Sequence, residues 1–277
     1  MLDPGRYYRV SSLRAAVRLA RLANLAALAD GEYSLSGVLR PLETVVDMKS
    51  VPEMRRQTVT ESGLVVGAEI TLREFLEHDE LLPAMRDALT RAVPRHLWGY
   101  LTLRETLNAR HHPMLREWLA ALMALNICVE RLEFDAYEPR WDEVERLIYT
   151  GLLDDGLITA LLFPTPNPDQ RLAIGYVAAS SLDPACISAA VLVNWHEDHT
   201  VIESARIVVC GASAEPVILS PEWLIDQPFC VEMVNRVIDA INHQLEVGSS
   251  RPCLYWEQRQ VMVERCVQQA FEGVKAA

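Results

Sequence analysis

A chain of 277 residues is long enough for one large domain or two medium ones, and it can bury an extensive core without metal or disulfide staples. Half of the residues are hydrophobic, 23% are charged and the formal net charge is -12, which argues against sequence-independent nucleic-acid binding and against anionic membranes as partners. No apolar run approaches the roughly 18 to 20 residues of a membrane span and the opening MLDPGRYYRV lacks a signal-peptide pattern, so the expected compartment is the cytoplasm.

After Ser11-Ser12, SLRAAVRLARLANLAALADG places Leu13, Ala16, Val17 and Ala20 on one stripe and Arg14, Arg18 and Arg21 largely off it. This spacing predicts an amphipathic helix ended by Asp30-Gly31. Short β-like pieces follow at Val45 to Met48 and Leu64 to Ala68. Thr71 opens a helix through Phe75, and its TLRE resembles a capping box, in which a threonine and a glutamate three residues on satisfy each other's N–H groups. The stretch LWGYLTLRETL at 97–107 reads by itself as a strand and turn. Helices are expected from about Pro83 to Ala92 and from about Met114 to Leu125, where LREWLAALMALN keeps an apolar face.

ALLFPTPNPDQR carries Pro164, Pro166 and Pro168 and is the most linker-like segment, so the main boundary is placed there, with domains at 1–165 and 169–277. Beyond it AIGYVAASSL, AAVLVNW and SARIVVCGAS read as strands of an antiparallel sheet, with HEDHT as a turn. Two closing helices follow. One aligns Val234, Val237, Ile238, Ile241 and Leu245, the other Val263, Val267, Ala270, Phe271 and Val274. The fold class is α+β.

Candidate chemistry is sparse. His196-Glu197-Asp198-His199 offers enough donors for a metal, or is a solvated hairpin turn. His111-His112-Pro113 is open to ligation or acid-base work, or is a polar loop before a helix. Asp154-Asp155 and Glu143/Glu145 read as general acid-base groups or as solvated faces. Trp98, Tyr100, Trp118 and Trp141 stack on a planar ligand or pack. Ser36-Gly37 is a turn, without the GxSxG elbow of a hydrolase. Six cysteines without a CxxC suit buried thiols in a reducing compartment and supply no zinc or iron-sulfur ligand set. There is no GxGxxG and no Walker loop. The one glycine-bearing turn after a helix, ALADGEYSL, sets Asp30 beside Gly31, where its charge repels a phosphate.

The order of pieces resembles the FAD-binding medium subunit of molybdenum hydroxylases, of the carbon monoxide dehydrogenase and xanthine dehydrogenase type. The resemblance runs nearly end to end. It is carried by YYRVSSLRAAVRLA, VVDMKSVPEM, LVVGAEITLREFLEHDELL, LMALNICVE, DGLITALLFPTP, QRLAIGYVAASSL with ARIVVCGASAEPVIL, and SSRPCLYWEQRQVMVERCVQQAF. It implies two small lobes, at about 1–52 and 53–165, that sandwich FAD, followed by a three-stranded antiparallel sheet with helices. It also implies partners: a molybdenum-cofactor large subunit and a 2Fe-2S small subunit, with a homo-oligomer as the other expectation.

The family's two glycine-rich pyrophosphate loops fall here on Ala29, Asp30, Gly31, Glu32, Tyr33 and Ser34, and on Trp98 to Leu107 with Gly99, Thr102, Arg104, Glu105 and Thr106. The first keeps one glycine and gains two acids. The second has Arg104-Glu105 in place of a glycine pair and retains Thr102. A side chain forced into left-handed backbone costs about 1 to 2 kcal/mol, and a carboxylate facing a diphosphate adds to that. Arg104 offers a partial compensation as an anion anchor. The expectation is a divergent flavoprotein-subunit-like protein without authentic FAD binding, in a structural, assembly or regulatory role. The alternative is a functional FAD-dependent oxidoreductase subunit that takes electrons from iron-sulfur clusters, and a third reading puts another small molecule in the inter-lobe cleft.

Overall fold

A computed structural model describes residues 6–22, 44–134, 136, 138–180, 183–196, 200–248 and 256–276. In chain order they form β1 (Arg6–Arg9), α1 (Leu13–Leu22), β2 (Thr44–Asp47), β3 (Gln57–Thr60), β4 (Gly63–Gly67), α2 (Leu72–Phe75), α3 (Pro83–Ala92), α4 (Leu103–Asn108), α5 (Arg116–Ala124), β5 (Cys128–Glu133) and β6 (Arg140–Glu143). There follow α6 (Val144–Thr150), β7 (Gly156–Pro164), β8 (Gln170–Ala178), β9 (Ala185–Trp195), β10 (Ile202–Cys210), β11 (Val217–Leu219), α7 (Val231–Gly248) and α8 (Trp256–Ala276). Short 3-10 turns join several of them. The class is α+β, as the sequence implies. Among the described residues no helix is long and apolar enough to cross a membrane.

The chain divides into two compact units. One comprises Met1–Glu80, Pro94–His112 and Asn126–Thr165, the other Leu81–Val93, Pro113–Leu125 and Pro166–Ala277. One crossing between them, at Thr165 to Pro166, falls in the proline-rich stretch. The others hand α3 and α5 to the second unit.

In the first unit β1 and β2 pair in parallel, and a five-stranded antiparallel sheet has the order β3-β4-β7-β5-β6. Ser12 caps α1, its hydroxyl accepting from the Ala15 N–H at 3.3 Å; the helix end expected at Asp30-Gly31 lies outside the described residues. ALLFP, expected at the start of a linker, belongs instead to β7. That strand lies between β4 and β5, and its residues from Leu157 to Leu161 are buried, which is why GLITALLFP is nearly continuously apolar. Gly67 ends β4 where the backbone of the 3-10 turn Pro52–Arg55 comes so close that an added Cβ would sit 2.3 Å from the Met54 carbonyl oxygen.

The second unit holds a four-stranded antiparallel sheet, β11-β10-β9-β8, one strand more than the expected three. Ile187, Ala189, Val191, Val193 and Trp195 of β9 join a core with α7 and α8, while the alternate residues Ser188, Ala190 and Leu192 are buried too, with α5 packed against β9 and β10. Both faces of the sheet are therefore covered. α5 is buried at every position after Arg116, as a helix apolar on nearly all sides requires. It begins two residues later than its spacing suggests, behind a 3-10 turn at Pro113–Leu115. Arginines fasten both its ends: Arg116 donates to the Ala185 and Cys186 carbonyls at 2.9 and 2.8 Å, and Arg206 to the Met123 carbonyl at 3.0 Å.

The thiols divide. Cys210 and Cys266 are buried and pushed up to about 12 by desolvation, and the Cys266 thiol donates to the Ile187 carbonyl at 3.3 Å. Cys186 and Cys230 are exposed, against the expectation of buried thiols, and Cys253 lies outside the described residues.

Gly175 of β8 faces α8, where an added Cβ would meet the Cys266 carbonyl oxygen at 2.0 Å. Gly175→Ala is therefore expected to lower unfolding stability by about 1 to 3 kcal/mol in urea titration, and an unchanged midpoint refutes this packing. Glu117 of α5 accepts from Arg91 of α3 at 2.9 and 2.7 Å, yet desolvation outweighs the arginine and holds its carboxyl above the ordinary 4.5. With the folded value raised, its contribution to stability is full below the unfolded value and is lost as pH rises through the folded one. Glu117→Gln, which mimics the neutral acid, should gain stability relative to wild type as the pH rises above the ordinary 4.5 and through the raised folded value. A difference that moves the other way across that range contradicts the assignment.

Candidate functional site

The stretch 97–107 is neither a strand nor a glycine-rich loop. A 3-10 turn at Arg95–Leu97 leads into α4, and Thr102 is the residue that caps it. Its hydroxyl accepts from the Glu105 N–H at 3.3 Å while the Glu105 carboxylate accepts from the Thr102 N–H at 2.7 Å, a complete capping box. The signal was in the sequence: TLRE occurs twice, at Thr71–Glu74 and at Thr102–Glu105. The first copy is a capping box as well, with Glu74 accepting from the Thr71 N–H at 2.9 Å.

The two caps lie against each other. Thr71 and Thr102 form an antiparallel bridge, Leu72 N–H donates to the Leu101 carbonyl at 2.9 Å, and Leu103 N–H donates to the Ile70 carbonyl at 3.1 Å. Arg104 N–H reaches the Ala68 carbonyl at 2.9 Å and Arg73 N–H the Trp98 carbonyl at 2.9 Å. The N–H groups that a helix start leaves without intrahelical partners are thus supplied with acceptors by the neighbouring segment.

Beneath the caps three arginines meet three glutamates. Arg104 Nε lies 2.7 Å from Glu69 Oε1, with side chains only 4% and 2% exposed. Arg55 pairs with Glu74 at 2.6 Å and donates to the Glu69 carbonyl at 2.9 Å. Arg56 pairs with Glu130 at 2.7 Å, and Thr159 donates to the same carboxylate oxygen at 2.5 Å. Burial works against the Glu74 carboxylate, but its bonds to Thr71 and its Arg55 partner outweigh this and hold it below the ordinary 4.5.

A diphosphate needs backbone N–H donors and a cation. From Leu101 to Thr106 every backbone N–H has an acceptor inside the protein, Leu101 on the Leu97 carbonyl and Thr106 on that of Thr102. The Thr106 hydroxyl donates to the Leu103 carbonyl at 2.8 Å, and the Arg104 guanidinium, expected as an anion anchor, is bound to Glu69. Gly99 is exposed, and an added Cβ would touch the Arg73 guanidinium at 3.5 Å. These residues do not fit a diphosphate cradle. The first expected loop, Ala29 to Ser34, lies outside the described residues, as does Ser36-Gly37.

The other candidates are dispersed. Trp118 is buried in α5, Tyr100 and Trp141 are exposed, and Trp98 is half-buried with the Arg95 guanidinium 5.8 Å from its ring centroid. Asp154 receives both terminal nitrogens of Arg110, at 3.0 and 2.6 Å, and Glu143 is exposed. His196 Nε2 lies 3.0 Å from Asp226 Oδ1 at the surface, while Glu197, Asp198 and His199 are outside the described residues. His111 is exposed, and the His112 N–H donates to the Ala109 carbonyl at 2.8 Å. Among the described residues no three His, Cys, Asp or Glu side chains gather as a metal would require.

Compared as a sequence, the chain matches no family model and no curated protein. As a structure it is similar along its whole length to a chain of the carbon monoxide dehydrogenase of Hydrogenophaga pseudoflava that lacks the Mo-pyranopterin moiety of the molybdenum cofactor, with TM-score 0.80 and 17% identity over 100% of this chain and 99% of that one. It is also similar to a chain of the cyanide-inactivated Cu,Mo-CO dehydrogenase, with TM-score 0.74 and 21% identity over 98% and 99% of the two chains. Quinoline 2-oxidoreductase from Pseudomonas putida 86 gives TM-score 0.77 and 16% identity over 99% of each. The fold implied by the resemblance of the sequence is the fold found, and likeness at these identities is a likeness of fold.

Arg104→Met, which leaves Glu69 buried without its guanidinium, should cost about 3 to 5 kcal/mol in urea unfolding. The double variant Arg104→Met with Glu69→Leu should cost clearly less than the two single changes added together. Strict additivity would mean that the two side chains do not act as a pair.

Proposed function

We propose that the chain is a divergent flavoprotein-subunit-like protein of a molybdenum-hydroxylase-type assembly, one that keeps the fold without an authentic FAD site. Its role on this reading is structural, assembly-related or regulatory, beside a molybdenum-cofactor large subunit and a 2Fe-2S small subunit. The full-length likeness to chains of carbon monoxide dehydrogenase and quinoline 2-oxidoreductase supports the kind of assembly. The carrying observation is the reciprocal cap. The segment that the resemblance sets at a pyrophosphate loop has its N–H groups and its one buried cation committed to Ile70, Ala68, Glu69 and its own first turn.

The same segment argues against the FAD-dependent redox reading. That reading draws on the fold and on the retained Thr102, but Thr102 holds the cap of α4. To accept a phosphate, Thr102 and Glu105 would have to part and Arg104 leave Glu69, exposing a buried carboxylate without a partner.

The purified full-length protein should be colourless, and its heat-denatured supernatant should release no flavin. Stoichiometric FAD in the preparation would sink the proposal. Replacing Arg104 and Glu105 together by glycine should destabilise the fold by several kcal/mol without conferring flavin binding, because it removes both the ion pair and the cap. A yellow double variant would place the missing determinant in those two side chains.

A further inference from the structure

Each outer edge of the two larger sheets is a row of backbone groups that a protein must pair, cover or blunt. Three of the four are managed. β6 carries Arg140, Asp142 and Glu143 along its length. β11 is three residues long. The Tyr176 N–H of β8 is taken by Gln269 of α8 at 3.0 Å. The fourth edge, β3, is one residue longer than β11 and carries no charge within the strand. Gln57, Thr58, Val59 and Thr60 are uncharged and all exposed, Val59 by 63%, and the ladder to β4 runs without a bulge. Among the described residues no strand pairs with its outer side.

The orientation of that edge follows from the ladder. Gly67 N–H donates to the Arg56 carbonyl at 2.7 Å, so by antiparallel alternation Thr58 and Thr60 direct their backbone groups to β4 and Gln57 and Val59 direct theirs outward. Arg55 and Arg56 precede the strand, and the exposed Glu61 follows it. A strand docking antiparallel and matching this edge is therefore basic at its start, acidic at its end and uncharged and β-branched between. β3 itself has that pattern.

We propose that β3 is a self-association edge, at which a second copy of this chain pairs its own β3 antiparallel about a two-fold axis through Thr58, joining the two five-stranded sheets into one. In this register Gln57 of each copy exchanges both backbone hydrogen bonds with Val59 of the other. Glu61 of each copy lies at the end of the strand where Arg55 and Arg56 of the other copy sit, whose guanidiniums also pair with Glu74 and Glu130 of their own chain. The isologous geometry leaves no further edge at the junction, so association stops at the dimer. No like charges face each other along the strand.

Sedimentation equilibrium of the full chain tests this. The wild-type protein should show a monomer–dimer equilibrium, and Val59→Lys should raise its dissociation constant about tenfold or more, since it puts a cation on each side of the axis. Val59→Pro should do the same while leaving the protein's own ladder intact, because the Val59 N–H points away from β4. Glu61→Lys should weaken the dimer most at low salt. Circular dichroism and unfolding midpoints confirm that the variants are folded, and any that is not is judged by the other two. A wild-type chain that stays monomeric up to its solubility limit overturns the proposal, as does a dimer that folded Val59→Lys and Val59→Pro leave unchanged. None of these outcomes depends on whether flavin is bound.

Discussion

The first unit depends on two backbone segments that cap each other. Ile70 to Arg73 and Leu101 to Arg104 each begin a helix, and each provides carbonyl acceptors for N–H groups at the other's helix start. Alone, either four- to six-residue helix would be too short to persist in water. Joined, they form a connector with both threonine–glutamate boxes closed. The Arg104–Glu69 pair beneath fixes the register, since a shift of one residue would leave a buried charge unmatched.

The second unit rests on a different constraint. A sheet whose central strand is apolar on both faces needs cover on both, and its own C-terminal helices supply one side only. α5, with α3 packed beside it, comes from the other half of the chain to supply the second. The helix is paid for at its ends, where Arg116 and Arg206 tie it to sheet backbone.

Much of this was legible in local patterns, and the failures share a cause. α3 and the closing helices show in apolar spacing because one face of each is buried. β3 and β6 do not show, because QTVT and RWDE are edge strands with exposed polar or charged side chains and no alternation to read. The end of β7 looks like a linker because its last residue is Pro164 and more prolines follow. At the candidate site the first TLRE was readable as a capping box from spacing alone. Its identical copy lies in a stretch dominated by Trp98, Gly99 and Tyr100, and the reciprocal bonding between copies 31 residues apart is not a local property. The Arg104–Glu69 pair is hidden for the same reason. Its members lie on different segments, and nothing in either one's neighbours marks it as buried.

The borrowing of α5 also sets an order of events during synthesis. The helix leaves the ribosome well before β9 and β10, the strands it packs against. Until those strands arrive, an almost wholly apolar helix is tethered between segments of the first unit with no sheet to lie on, the kind of exposed apolar surface that is prone to aggregation. A cut at the proline-rich stretch would make that condition permanent. It would leave one fragment with α5 and no sheet to cover it, and the other with a sheet bare on one face.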